Sequence, residues 1–189
     1  MLARSVALDQ RWNLVHATHA DARERAQVRA SGATVVICPL TEAYLGDGLY
    51  PVEEHANAPL AIGSDSNCRI DAFEELRVME YGARQRNRAR AQLADGRGLG
   101  VPLWLNAVSA GARALAQPVG GIAVGQFADF VAIGDDAPAL AGHGPNSYLD
   151  ALVINGSSRD VAATWVGGKR IAPLSTRAAF DAVVRQLLP

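Results

Sequence analysis

A continuous run of apolar and β-branched residues at 34–38, Thr-Val-Val-Ile-Cys, most narrowly limits what this chain can fold into. Such a run is typical of a strand buried on both faces, as in a parallel sheet, because a strand with one solvated face alternates. Shorter apolar runs at 12–15 and 59–62 are also predicted strands. Since helical patterns separate or follow these runs, we predict a parallel α/β arrangement over the first part of the chain.

Residues that favour helix ends predict the helix boundaries of this first part. Thr18 or Asp21 is the predicted N-cap of the first helix, and Gly32 is its predicted stop. Asp71 is the predicted N-cap of a long helix that ends before Gly96. The predicted helices cover residues 21–30, 71–94 and 102–116, with a loop at 40–51 and a short helical turn at 53–57.

The pattern changes after Pro118. Short apolar runs separated by tight turns predict a small β lobe, with strands near 122–124, 128–133, 151–154 and 161–166. An amphipathic segment at 177–188 is predicted to form the last helix. We therefore predict three parts, an α/β part, a β lobe and a terminal helix, at residues 1–118, 119–173 and 174–189.

Composition argues against several classes of protein. The 189 residues are 49% hydrophobic and carry a net charge of -1, so nothing in the balance attracts nucleic acid or an anionic membrane. The arginine-rich cluster at 84–90 lacks interleaved aromatic residues and is interpreted as a solvated helix face. No run approaches the roughly 20 apolar residues of a membrane span, and no secretory signal is expected at the start. Because Cys38 and Cys68 form no CxxC motif, a cytoplasmic protein with reduced thiols is the simplest interpretation.

Ionisable side chains follow two of the predicted strands. His16 comes directly after the run at 12–15, and Asp65 follows the run at 59–62. In a barrel of parallel strands, such positions lie at the C-terminal rim, where catalytic side chains are found. Each has a simpler interpretation, because Asp is common in turns and a strand-end His can be structural. His19 is predicted to begin the first helix or to contact the site residues without a direct role in the chemistry.

The chain resembles the C-terminal portion of the amidohydrolase superfamily, whose members are (β/α)8 barrels with a small β-sandwich lobe. The resemblance rests on His16 in Val-His-Ala-Thr-His and Asp65 in Gly-Ser-Asp-Ser. It rests also on residues 121–133, which are similar to the family pattern Gly-x-hydrophobic-x-x-Gly-x-x-Ala-Asp. Residues 37–48, Ile-Cys-Pro-Leu-Thr-Glu-Ala-Tyr-Leu-Gly-Asp-Gly, resemble a loop of the formimidoylglutamate deiminases. The resemblance implies the last three β/α units of a TIM-type barrel and a partial C-terminal lobe.

The same resemblance implies a hydrolase that converts N-formimidoyl-L-glutamate to N-formyl-L-glutamate and ammonia, a step of histidine degradation. One zinc ion is the implied cofactor, and it would activate water. Asp65 would be a metal ligand and proton carrier, and His16 would bond the reacting water or the tetrahedral centre. Four residues are implied to shape the substrate pocket: Thr41, Glu42, Gly46 and Asp47.

The rest of the implied zinc site has no counterpart in the sequence. The resemblance calls for a His-x-His pair and a His-x-His-x-x-Glu motif, and the four histidines of this chain have neither spacing. Catalytic zinc normally has three protein ligands, so Asp65 and His16 do not suffice. We therefore expect a truncated, split or cloned fragment that is inactive alone. Its expected partners are the small-molecule substrate and a complementary N-terminal chain, or a second copy in a homodimer.

Three alternatives stay open at this point. The chain could be a catalytically inactive amidohydrolase remnant. It could belong to another amidohydrolase, such as a guanine- or cytosine-type deaminase, although the Thr41-Glu42 pair argues against that. A nucleic-acid module built on the cluster at 84–90 is the most distant alternative, and salt-independent or absent RNA binding would exclude it.

Overall fold

A parallel sheet of three strands forms the first part of the computed structural model, which describes residues 5–55, 57–67, 69–118, 121–172 and 177–187. Strands β1 (Asn13–Val15), β2 (Thr34–Ile37) and β3 (Leu60–Ile62) lie in the order β1-β2-β3. Both pairings are parallel, with Leu14 opposite Val35 and Val36 opposite Ala61. The predicted parallel α/β arrangement is confirmed. Within the described residues, β1 and β3 are each paired along one edge only.

The connection from β1 to β2 is helix α1 (Ala22–Ser31), and its predicted ends are confirmed to within one residue. Asp21, not Thr18, is the N-cap. Its carboxylate accepts from the Glu24 amide, and the Glu24 side chain bonds the Asp21 amide in return. Gly32 ends the helix at φ +71°, a left-handed conformation that glycine adopts without steric cost.

The segment predicted as a loop at 40–51 contains a helix, so that part of the prediction is wrong. Helix α2 (Pro39–Leu45) begins directly after β2, and Gly46 ends it in the left-handed region. Pro39 ends the strand as predicted, but at the first helical position a proline is also favourable, because its missing N–H would be unpaired there anyway. The predicted helical turn is present as a 3₁₀ helix at Val52–His55.

Helix α3 (Ala72–Asn87) begins at Asp71 as predicted, and the Asp71 carboxylate accepts from the first-turn amides of Phe73 and Glu74. The helix ends at Arg88, several residues before the predicted end. The buried Glu80 carboxylate accepts the amides of Gln92 and Leu93, which folds the chain back before another turn can form. The next helix, α4 (Gly100–Ala114), starts two residues earlier than predicted.

The second sheet is antiparallel and contains β4 (Phe130–Ile133), β5 (Val161–Val166) and β6 (Lys169–Ile171) in that order. It contains two of the predicted strands, whereas no strand is formed by the described residues near 122–124. Residues 151–154 were predicted to be a strand and instead form helix α5 (Tyr148–Asn155). Tertiary contacts decide this, because Ala151, Leu152 and Val153 are buried and α5 packs on α3 and α4.

The last helix, α6 (Arg177–Leu187), has the predicted position, and three further 3₁₀ turns occur at Pro138–Leu140, Pro145–Ser147 and Ser158–Asp160. The main core lies between the parallel sheet and α3, α4 and α5, and Val35, Leu76 and Val153 in it are fully buried. The division of the chain at residues 118 and 173 stays a prediction. Among the helices of the described residues, none is long and apolar enough to cross a membrane.

Candidate active site at the ends of the parallel strands

His16 and Asp65 follow β1 and β3 at the same edge of the parallel sheet, and both have unusual backbone conformations. The φ angle is +64° at His16 and +47° at Asp65. Non-glycine residues rarely adopt positive φ, and such strain is concentrated at functional sites. The amide of His16 donates to the Val36 carbonyl of β2 at 2.7 Å, which anchors the strained residue to the sheet. The structure therefore brings these two predicted residues together.

Glu42, in the first turn of α2, fixes the ring of His16. Its oxygen Oε1 lies 2.9 Å from His16 Nδ1 and 2.9 Å from the amide nitrogen of Cys38. The side chain of Glu42 is buried, so this carboxylate is held by two donors in a site with little water. Because a carboxylate only accepts, the contact assigns a proton to Nδ1, and in the neutral form of the ring Nε2 is then an acceptor.

Asp65 faces the other nitrogen of the same ring. The distance from His16 Nε2 to Asp65 Oδ2 is 3.6 Å, which is too long for a direct hydrogen bond. The side chains of His16 and Asp65 are both about one third exposed, so the space beside them is open to a small molecule. Ser66 donates a long hydrogen bond of 3.4 Å to the other oxygen of Asp65. The Asp65 carboxylate thus has capacity to bind a cation or a proton.

Cys38 completes the set of close ligand atoms at this edge. Its Sγ, one nitrogen of His16 and one oxygen of Asp65 all lie within 4.8 Å of one another. Burial, aided by the charges of Glu42 and Asp65, raises the pKa of the Cys38 thiol to about 11. Without an ion at the site, Cys38 is therefore the small buried residue that the sequence predicts, and it would have to lose its proton to bind a metal. Cys68 lies outside the described residues.

The side chains at this edge offer atoms of the types that bind zinc, but too few of them for a complete zinc site. Imidazole nitrogen and carboxylate oxygen are both ordinary zinc ligands. Within the described residues, the cluster of His16, Cys38 and Asp65 is the group that could hold an ion, and Cys38 would have to lose its thiol proton to join it. Two ligands remain that need no such proton loss, whereas a catalytic zinc site normally has three.

The four residues implied to shape a substrate pocket occupy different environments. The Thr41 hydroxyl is buried and donates to the Ser64 carbonyl at 3.0 Å, which ties α2 to the turn that holds Asp65. Glu42 contacts His16 as described, while Gly46 and Asp47 are exposed where α2 ends. The amide of Asp47 donates to the Glu42 carbonyl at 3.0 Å. Roles of these residues in substrate binding stay predictions.

Two residues near the site were missed or undervalued by the sequence analysis. Glu75 of α3 is almost fully buried, and its Oε2 accepts the Leu40 amide of α2 at 2.9 Å. His55, which the sequence analysis does not single out, is fully buried, with Nδ1 3.0 Å from the Tyr50 hydroxyl. His19 begins no helix, since Asp21 has that role. No sequence signal separates Glu75 from its neighbour Glu74, because both are glutamates in the first turn of the same helix.

Comparisons with known sequences show which family this chain belongs to. The model of the amidohydrolase family matches residues 3–171. The formimidoylglutamate deiminase of Pseudomonas aeruginosa is 42% identical over 172 residues, which are 89% of this chain and 38% of that protein. The 5-methylthioadenosine/S-adenosylhomocysteine deaminase of Halobacterium salinarum is 31% identical over 82% of this chain and 36% of its own length.

Solved structures show the same fold. An amidohydrolase from Brucella melitensis superposes with a TM-score of 0.88 at 34% identity, over 100% of this chain and 44% of that one. An adenosine deaminase from Xanthomonas campestris, solved with bound zinc, gives a TM-score of 0.79 at 28% identity, over 98% of this chain and 43% of that one. This chain therefore spans about two fifths of the length of the relatives it matches. Fold, strand-end residues and family match together identify the chain as a member of the amidohydrolase family.

Proposed function

We propose that this chain supplies part of a site that hydrolyses N-formimidoyl-L-glutamate to N-formyl-L-glutamate and ammonia. The observation that carries the proposal is the ordered series Glu42, His16 and Asp65 at the ends of the parallel strands. The 42% identity to a formimidoylglutamate deiminase, against 31% to a nucleoside deaminase, supports this substrate over a purine.

The reaction adds one water to the formimidoyl carbon and breaks the bond from that carbon to its terminal nitrogen. In this proposal Asp65 accepts a proton from the attacking water and returns it to the departing nitrogen, which leaves as ammonia. His16 donates its Nδ1 proton in a hydrogen bond to Glu42, so in the neutral ring Nε2 would accept a hydrogen bond from the water or the tetrahedral centre. The two side chains approach each other from the ends of β1 and β3, which lie on either side of β2.

The donor set suits a zinc ion, which would be held by the Asp65 carboxylate with the His16 ring beside it. Such an ion lowers the pKa of water, so that hydroxide is available near neutral pH. Because the described residues offer too few ligands, we propose that other polypeptide completes the site, either a complementary chain or a second copy of this one. As part of this proposal, we expect the isolated chain to have no activity.

Ammonia release tests the proposal directly. The chain is expressed alone and together with the part of the Pseudomonas aeruginosa relative that it does not match, and both preparations are loaded with zinc and dialysed. We expect retained zinc and ammonia from N-formimidoyl-L-glutamate only in the joint preparation. Deamination of 5-methylthioadenosine or guanine in its place would assign a different substrate. Zinc without turnover of any of these compounds would favour the inactive remnant.

A further inference from the structure

The N-terminus of α2 has no capping side chain of its own at the expected position. Cys38 is the N-cap residue and makes no side-chain hydrogen bond to the helix. The first amides of a helix need partners from elsewhere, and Pro39 has no N–H to satisfy. Two carboxylates supply them: Glu42 accepts the amide of Cys38, and Glu75 of α3 accepts the amide of Leu40.

These two contacts connect Glu75 to the candidate site through helix α2. Leu40 and Glu42 lie in the same first turn of α2, so the hydrogen bond from Leu40 to Glu75 fixes the turn that carries the Glu42 side chain. Glu42 then contacts His16 Nδ1 at 2.9 Å. Two hydrogen bonds, joined by the backbone of residues 40–42, thus connect α3 to the ring that faces Asp65.

Burying the Glu75 carboxylate costs free energy, and the Leu40 amide is the one hydrogen-bond donor to it within the described residues. Its side chain is almost fully buried, and its second oxygen, Oε1, has no hydrogen-bond partner within the described residues. Burial, opposed by the Leu40 amide, raises the pKa of Glu75 to about 7. A carboxyl in such a place normally has a specific role, because an apolar side chain of similar size would pack there at lower cost.

We propose that Glu75 is a positioning residue, which holds the first turn of α2 and, through Glu42, sets the orientation and protonated nitrogen of His16. The catalytic meaning of this role rests on the function proposed above, but the structural relationship does not. Within the described residues, no hydrogen bond or ion pair joins Glu75 to His16 or Asp65, and so it acts through α2 alone.

The test compares two buried carboxylates of the same helix. Glu75→Met and Glu80→Met each remove an acceptor of backbone amides from α3, but Glu80 holds residues 92 and 93 instead of α2. Ring ¹⁵N spectra of the labelled chain show which nitrogen of each histidine is protonated, and His16→Asn assigns the signal. We expect Glu75→Met to change the His16 signal and to speed exchange of the Leu40 amide, while Glu80→Met changes neither. Equal responses in both variants, or none in Glu75→Met, would overturn the proposal.

A conservative variant guards against loss of folding. The amide oxygen of Gln accepts the Leu40 amide as Glu does, so Glu75→Gln is expected to keep the wild-type His16 signal and slow exchange. A folded Glu75→Gln chain that loses both would overturn the proposal even if Glu75→Met does not fold. In the joint zinc-loaded preparation we expect about a tenfold lower kcat for Glu75→Met with little change in KM. A responsive His16 signal without ammonia release from the wild type would support the positioning role and overturn the proposed function.

Discussion

Glu42 and His16, 26 residues apart in sequence, meet at 2.9 Å between Oε1 and Nδ1. The same oxygen accepts the amide of Cys38, so neither the carboxylate nor the ring can turn without breaking a buried hydrogen bond. This relationship directs His16 Nε2 toward Asp65 and makes the ring an acceptor there. It is the feature that links helix α2 to the chemistry at the strand ends.

The first expectation concerns the charge of Glu42. Glu42→Gln keeps the size of the side chain but removes the negative acceptor from His16 Nδ1, so the ring should lose its fixed protonated nitrogen. We expect at least about a tenfold fall in kcat in the joint zinc-loaded preparation, measured by ammonia release. The matched control is Glu53→Gln, since the partly buried Glu53 pairs with Arg86 and not with His16. Equal losses in both variants would contradict the role given to Glu42.

A second expectation uses two glycines of helix α4. A Cβ on Gly100 would lie 2.1 Å from the backbone carbon of Leu149, and that backbone cannot move without displacing α5. Gly111 has open space around its Cβ position. We expect Gly100→Ala to lower the free energy of unfolding by about 3 kcal/mol or more. Gly111→Ala should raise it by about 0.5 to 1 kcal/mol, because alanine favours the helix. Urea unfolding measures both, and similar values would contradict the packing of α4 on α5.

The third expectation is a pH dependence caused by Glu75. Its pKa rises from 4.5 to about 7 in the fold. Between those values the native chain keeps a proton that the unfolded chain has lost, so the free energy of unfolding falls as pH rises from about 4.5 to about 7. At about 1.4 kcal/mol per pKa unit the effect is at most about 3 kcal/mol. Glu75→Gln should abolish this fall, as measured by urea unfolding at several pH values, and an unchanged slope would show that the carboxyl is not buried as described.

The fourth expectation is a pH dependence of the free energy of unfolding with the opposite sign, caused by His55. Burial, with a smaller effect of the Arg29 charge, lowers the pKa of His55 from 6.5 to about 4. Between these values the unfolded chain binds a proton that the native chain excludes, so stability is lost as pH falls from about 6.5 toward about 4. The two slopes overlap and partly cancel in the wild type. We therefore expect Glu75→Gln to reveal the loss toward acid, and a further His55→Gln change to remove it. A residual acid loss in the double variant would assign it to other groups.

Much of the fold could be predicted, because several strands and helix ends are determined by residues close together in the sequence. Strand β2 (Thr34–Ile37) follows from its β-branched residues. Both ends of α1 and the start of α3 follow from Asp21, Gly32 and Asp71. The failures depend on contacts far apart in sequence. Residues 151–154 have strand-like residues but are helical because α5 fills the space beside α3 and α4. Helix α3 ends early because Glu80 binds amides 12 and 13 residues further on.

The same distinction applies to the site. His16 and Asp65 could be predicted because each follows a recognisable strand, and parallel strands bring their C-terminal ends to one edge. The link between Glu42 and His16 could not be predicted, because it depends on a helix that begins immediately after β2 where a loop was expected. Glu75 was invisible to the sequence for a similar reason, since its role is defined by an amide 35 residues away.

One measurement tests the central proposal most directly: ammonia release from N-formimidoyl-L-glutamate by the joint zinc-loaded preparation, with wild-type Asp65 and with Asp65→Asn. Asparagine tolerates the positive φ of this residue, so the variant removes the charge without straining the backbone. The control is Asp47→Asn on the exposed turn after α2, compared for retained zinc. We expect Asp65→Asn to lose zinc and at least about a hundredfold in activity, while Asp47→Asn keeps its zinc. Full zinc and full activity in Asp65→Asn would contradict the assignment of this site.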